Sequence, residues 1–331
     1  MSDGNTNGSG RVGAEIRRFL NERRIEAALP PALRRQRLEK SGYERIGGLT
    51  NQNYKLFFGE QTLVLRLPGR GTGRFIDRAM ERANHEAAAK AGFTPASLYF
   101  DERSGVKISH FIEDAEALDP EEARKPEICE AVALFLSRFH ASGLHFEKEF
   151  NVFRMAQAYE RLARSRRARF YKGYGEARAR ALALEPRLLA LGRPLVACHN
   201  DLVPENILAT PRGLTLIDWE YSGMNDPAWD LAAFLLESDY GEEQEGRFLT
   251  LYATGRPSDF LLTRVGAYKC LQDYLWALWS LLQETANLDQ AKARYYRKYG
   301  ELRYDRFLAG IGEVERSLSS TLHSVTAGGD E

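Results

Sequence analysis

The stretch VACHNDLVPENILATPRGLTLIDWEYSGMNDPAWD, residues 196–230, decides how the chain is read. It carries His199, Asp201 and Asn206 in the order H-x-D-x-x-x-x-N. Asp218 follows at the end of an apolar, strand-like run, Leu214-Thr215-Leu216-Ile217. Phosphoryl transfer onto a hydroxyl needs a carboxylate to meet the proton of the attacking group. It also needs hard oxygen donors to hold magnesium against the phosphates. Asp201 suits the first task, and Asn206 with Asp218 suits the second. His199 suits bracing of the loop by hydrogen bonds better than reaction. Aspartate and asparagine also cap loop backbone without any chemistry, but the combined spacing favours an active site of the kinase kind.

Working downstream, only a short stretch separates Asp218 from a helix beginning at Trp229-Asp230-Leu231, and no A-P-E occurs. A protein substrate needs a long activation segment to lie on, so a small-molecule acceptor is expected. Helices are expected at about 229–238, 245–253, 260–287 and 293–318. Within the third, Trp276 and Trp279 are three apart and share a face, with Asp273 and Gln283 nearby. Leu271, Leu275, Leu278 and Leu282 make a separate apolar stripe. Tyr221, three residues past Asp218, projects toward the reacting centre. Rings converging beside carboxylates would suit a cationic headgroup, above all a quaternary ammonium. Two tryptophans on a helix are also ordinary core, and the pattern leaves both readings open.

Upstream, Asn51–Phe58 and Thr62–Leu67 read as strands joined through Gly59-Glu60-Gln61. Ile76–Ala91 reads as a helix, and Ser97–Phe100 and Val106–Ile112 return to strand. Arg66, in Leu63-Val64-Leu65-Arg66-Leu67, stands where a cation for nucleotide phosphates is needed, although an exposed strand arginine reads equally well. Its expected helix partner is Glu86, with Glu81 the alternative. The turn Gly47-Gly48-Leu49-Thr50-Asn51 could lay backbone N–H groups and the Thr50 hydroxyl on phosphates, but lacks the full G-x-G-x-x-G pattern. Beyond residue 117 the chain is mainly helical. Ile128, Val132, Phe135, Leu136 and Phe139 form a buried stripe, and Arg161–Leu191 forms one or two helices.

These pieces predict an α+β, bilobal, protein-kinase-like fold. Residues 1–40 are a tail and helix of open role, 41–116 a nucleotide-binding lobe with a small sheet, and 117–331 a larger helical lobe carrying the catalytic loop. The 331 residues suit that size, and 46 basic against 46 acidic side chains give no field favouring nucleic acid. The basic runs Arg34-Arg35-Gln36-Arg37 and Arg161–Arg167 are interleaved with apolar residues as on solvated helices. Three scattered cysteines, Cys129, Cys198 and Cys270, fit neither a disulfide framework nor a zinc site. They suit a reducing cytoplasm. The polar start, MSDGNTNGSG, is no signal peptide, and no run suits membrane insertion.

The chain resembles the choline/ethanolamine kinases, and most closely the bacterial choline kinases. The likeness covers roughly residues 43–310. It rests on Gly48–Tyr54, Leu63–Gly69, Leu98–Asp101 with Lys107-Ile108, His199–Asn206, Ile217–Gly223 and Leu275–Ser280. It implies ATP as donor, Asp201 as base, and Asn206 with Asp218 as magnesium ligands. Tyr221, Trp276 and Trp279 would wall a choline pocket, Glu220 would face the ammonium, and Asp230 would brace the loop. An arginine at position 66 is normal in that family. Ethanolamine is the close alternative acceptor. Thiamine and aminoglycoside kinases share H-x-D-x-x-x-x-N, but the zero net charge gives no lean toward a polycation. A non-catalytic nucleotide-binding module would have lost Asp201, Asn206 or Asp218, and all three are present.

Overall fold

A computed structural model describes residues 42–48, 51–58, 61–69, 76–286 and 289–327. The expected N-terminal tail and helix, Thr50 and the Gly59-Glu60 turn lie outside the described residues. The chain divides between Ala115 and Glu116 into two compact units.

The first unit contains strands β1 (Tyr43–Arg45), β2 (Gln52–Phe58) and β3 (Gln61–Leu67), helix α1 (Arg78–Lys90), and strands β4 (Ser97–Phe100) and β5 (Lys107–His110). They form one sheet in the order β1-β2-β3-β5-β4, antiparallel throughout. β1 was not anticipated, being short and mostly exposed. Alternation along β3 sends Leu63, Leu65 and Leu67 into a core with Tyr54, Leu56, Val106 and Ile108. Gly48 sits at φ +99°, where an added Cβ would collide with the Asn51 carbonyl oxygen. Only glycine suits that turn.

Arg66 leaves β3 on the face opposite its leucines, yet is only 3% exposed. One arm donates to Glu81 Oε1, and Nη2 donates to the Gly105 carbonyl at 3.0 Å. Arg78 Nη1 takes the other Glu81 oxygen at 2.6 Å. The expected partner, Glu86, is not the one found: it pairs with Arg82 at 2.7 Å on a half-exposed surface. The reason is helical phase. At 3.6 residues per turn Glu86 lies about 140° round α1 from Glu81. The buried face carries Arg78, Glu81, Asn84, His85 and Ala88.

The second unit is mainly helical. Strand β6 (Glu116–Ala117) is followed by helices α2 (Pro120–Ala123), α3 (Pro126–His140), α4 (Val152–Ser165) and α5 (Tyr174–Ala190). Next come β7 (Val196–Cys198), β8 (Ile207–Thr210), β9 (Gly213–Leu216) and β10 (Gly223–Asn225). Helices α6 (Pro227–Glu237), α7 (Glu242–Tyr252), α8 (Asp259–Ala286) and α9 (Gln290–Ala327) complete it. Asn151 caps α4 by accepting the Arg154 N–H at 2.9 Å. The helical stretch expected from Arg161 is thus two helices, parted by Arg167 and Gly173, both at positive φ. α8 packs along α9 and against α6 and α4. Its stripe of Leu271, Leu275, Leu278 and Leu282 is fully buried. Gly300 permits the close approach of α9, because a Cβ there would collide with Ser280 Oγ and the Tyr171 hydroxyl. No described helix is long and apolar enough to cross a membrane.

Burial pushes the Glu81 carboxyl up, but Arg66, Lys107 and Arg78 overturn this and hold it below its ordinary value of 4.5. Its contribution to stability is therefore present above pH 4.5 and is lost as acid protonates it in the folded state. Glu81→Gln removes the carboxylate charge that two buried guanidiniums share and should cost about 3–5 kcal/mol near neutral pH in urea unfolding. The gap to wild type should narrow as pH falls below that ordinary value. A constant gap would mean that the loss is one of packing and not of charge.

Candidate active site

The loop between β7 and β8 is tied down by one carboxylate. Asp230, in the first turn of α6, is fully buried. Its Oδ2 accepts the His199 backbone N–H at 2.7 Å, and its Oδ1 accepts that of Asn200 at 2.7 Å. His140 Nε2 lies 3.2 Å from Oδ2. His140 Nδ1 in turn lies 3.0 Å from the Tyr252 hydroxyl. The helix is set for this role by its own cap: Asp226 accepts the Ala228 N–H at 3.0 Å, and Pro227 opens the first turn.

Asn200, which the sequence reading passed over, is the knot of the loop. Its φ is +65°. Its carbonyl accepts Trp229 Nε1–H at 3.1 Å, and its side-chain oxygen accepts from Asn225 at 2.9 Å. Its amide donates to the Tyr221 carbonyl at 3.0 Å. The segment from Tyr221 to Asn225 is thereby bound to the residue that precedes Asp201. β10 lies against β7, and Gly223 leaves room beside the Lys148 carbonyl, 2.9 Å from where a Cβ would sit. The signal for Asn200 was its place between His199 and Asp201, where asparagine tolerates positive φ.

His199 is fully buried, and its Nε2 donates to the Ile217 carbonyl at 2.8 Å. Its ring meets Trp219 edge-on at 5.0 Å. Burial pushes its pKa down, so the imidazole stays neutral, with its proton committed to that carbonyl.

Asp201 is half-buried. Burial raises its pKa well above the usual carboxylate range, and the charges of Asp218, Glu220, Glu237 and Asp230 add to the rise. Asn206 closes a short 3₁₀ turn and donates its amide N–H to the Asp201 carbonyl at 2.8 Å. That bond commits the amide N–H to the backbone, and the amide oxygen is the side chain's hard donor. Asp218 follows β9 at φ +65°. An amide oxygen and a carboxylate are the hard donors that magnesium takes. The residues present fit that ion.

Beyond Asp218 an aromatic wall begins. The Tyr221 ring meets Trp276 at 5.8 Å and 85°, and Trp276 meets Trp279 at 6.1 Å and 88°. Trp279 continues to Tyr296 at 5.6 Å and to Tyr299 at 6.2 Å, both again edge-on. The Tyr159 hydroxyl donates to that of Tyr221 at 3.2 Å. Asp201 and Glu220 are both within electrostatic reach of these two phenols. Tyr159, Tyr296, Tyr299 and Glu237 were missed in the sequence. Two signals were available: Tyr296 and Tyr299 repeat the three-residue spacing of the tryptophans, and Glu237 stands two turns after Asp230 on the same helix. Asp273, expected near the tryptophans, is buried and bound to Arg303 at 3.0 Å.

The choline/ethanolamine kinase family profile matches residues 44–254. Protein LicA of Haemophilus influenzae is 30% identical over 248 residues, 73% of either chain. The crystal structure of choline kinase LicA from Streptococcus pneumoniae superposes with a TM-score of 0.72 at 34% identity, covering 82% of this chain and 93% of that one. A choline/ethanolamine kinase family protein from Mesorhizobium loti gives 0.77 at 31% identity, covering 94% and 99%. A profile that runs through both units, joined to relatives of this similarity, places the chain in the choline/ethanolamine kinase family: it is an ATP-dependent kinase of small amino alcohols.

Proposed function

We propose that the alcohol is choline and the product phosphocholine. The run of mutually perpendicular rings from Tyr221 through Trp276 and Trp279 to Tyr299 carries this reading. A desolvated cation over the face of such a ring gains up to about 2 kcal/mol. A trimethylammonium group has no N–H to satisfy, so rings can enclose it without leaving a donor unpaired. Glu220 and Glu237 supply negative charge nearby. A primary ammonium would need acceptors that ring faces supply poorly, and each unmade hydrogen bond costs about 1–3 kcal/mol.

In this reading Asp201 accepts the hydroxyl proton as the choline oxygen attacks the γ-phosphorus of ATP. The bond from that phosphorus to the bridging oxygen breaks, and ADP leaves with the electron pair. The burial and neighbouring carboxylates that raise the Asp201 pKa make it a better proton acceptor. Magnesium, held by Asn206 and Asp218, would supply charge neutralisation at the phosphates. Arg66, fixed by Glu81, would serve as a cation for the nucleotide, with Asn51 in the adjoining turn. Asn51 Oδ1 accepts the Gly69 N–H at 3.3 Å, which links the two segments flanking the β2–β3 hairpin. His199 and Asp230 hold the loop and take no part in the proton transfer.

Asp201→Asn should lower kcat by about 10²–10³-fold while nucleotide binding persists, because the lost contribution belongs to the transition state. Near-normal turnover in that variant removes Asp201 from the role of base. Trp279→Ala should raise the KM for choline by about 10-fold or more, with ethanolamine affected much less and the KM for ATP hardly at all. Steady-state kinetics with both alcohols decides between them. Equal losses, or a wild type that prefers ethanolamine, would return both tryptophans to the core and leave ethanolamine as the substrate.

A further inference from the structure

Three helices of the ring wall and its surroundings meet at one guanidinium. Arg303 of α9 is almost completely buried. Its Nη1 donates to Asp273 Oδ1 of α8 at 3.0 Å, and its Nη2 donates to Glu237 Oε1 at the end of α6. Its guanidinium carbon lies 5.1 Å from the centroid of the Tyr299 ring, and that ring meets Trp279 edge-on at 6.2 Å. Nothing in the phosphoryl-transfer step uses Arg303, yet burial on this scale needs a reason, since a desolvated guanidinium is costly unless fully engaged.

Glu237 supplies the reason. Through Arg303 its carboxylate is joined to the Tyr299 ring, and through that ring to Trp279. An unrestrained glutamate side chain at the end of a helix samples several rotamers. Here one oxygen is held by Arg303, which fixes the direction of the other. The same guanidinium covers part of the Tyr299 ring and sets its plane. Only arginine can do both, because its planar fork spans two carboxylates and stacks, whereas lysine offers one compact charge.

We propose that Arg303 is a specificity-determining positioning residue: its fork between Glu237 and Asp273 fixes the Glu237 carboxylate and the Tyr299 ring at the headgroup end of the alcohol site. The proposal rests on the choline reading above. Without Arg303 the ring wall loses a fixed face, which weakens a trimethylammonium ligand most. A freed Glu237 has both oxygens available to accept N–H bonds, which favours a primary ammonium. Selectivity should therefore move from choline toward ethanolamine, whatever its starting value.

Removing Arg303 alone would strand Asp273 as a bare buried charge, so the test uses Arg303→Met together with Asp273→Asn, and separately Arg303→Lys. In the double variant the KM for choline should rise about 10-fold or more. The KM for ethanolamine, the KM for ATP and kcat should stay within about 3-fold of wild type. Arg303→Lys should lie between, lowering the choline-to-ethanolamine ratio of kcat/KM by about 3- to 10-fold. A choline KM restored to wild type in the double variant, or one rising in step with that for ATP, would show that Arg303 only supports the fold. If the double variant does not fold, Arg303→Lys decides alone, and an unchanged ratio overturns the proposal. Trp279→Ala run in parallel separates the two readings. If that variant raises the choline KM and the Arg303 variants do not, the ring wall stands and the role of Arg303 falls. If Trp279→Ala has no effect, the choline reading itself has failed.

Discussion

The loop carrying Asp201 depends on a carboxylate that is shut away from bulk solvent. Asp230 must find its hydrogen bonds within the protein, and it takes two of them from the consecutive backbone amides of His199 and Asn200. Meeting both requires the chain to turn at Asn200 with φ +65°, which presents the next residue, Asp201, at the mouth of the loop. Unpaired buried amides or an unpaired carboxylate would each carry a large desolvation penalty. Loop geometry and helix α6 are therefore specified together. The same turn uses the Asn200 side chain to bind the segment from Tyr221 to Asn225, which follows Asp218.

The aromatic wall is built by a different physics. Its rings come from the β9–β10 connection, α8 and α9, and each ring is set against its neighbour's edge. The leucine stripe on α8 is buried, and Trp279 beside it is buried too, against Tyr296 and Tyr299. The missing side chain at Gly300 lets α9 come close enough for Tyr296 and Tyr299 to reach Trp279. Packing determines the spacing of these helices, and the spacing determines what the rings can enclose.

Much of this was legible in the chain. H-x-D-x-x-x-x-N followed by a strand ending in Asp218 carries its own local geometry, and the alternation of β3 and the stripe of α8 follow from period alone. What the sequence concealed depends on long-range rotation or approach. Glu81 and Glu86 sit on one helix, and only the phase of α1 against β3 decides which of them meets Arg66. Tyr159 lies in an Arg/Ala-rich helix that gives no local hint of its bond to Tyr221. Arg303 reads as one more charge in a charged helix until three helices converge on it.

In the proposed reading, cation recognition by rings selects the acceptor alcohol. Its most direct test removes charge and keeps shape, by comparing choline with 3,3-dimethylbutan-1-ol, its uncharged carbon analogue, as phosphate acceptors from ATP. Two or more ring faces at up to about 2 kcal/mol each predict a kcat/KM for choline at least about 100-fold above that of the neutral alcohol, with the difference residing in KM. Comparable kcat/KM values for the two alcohols would mean that the rings sense only bulk and greasiness, and would contradict the account.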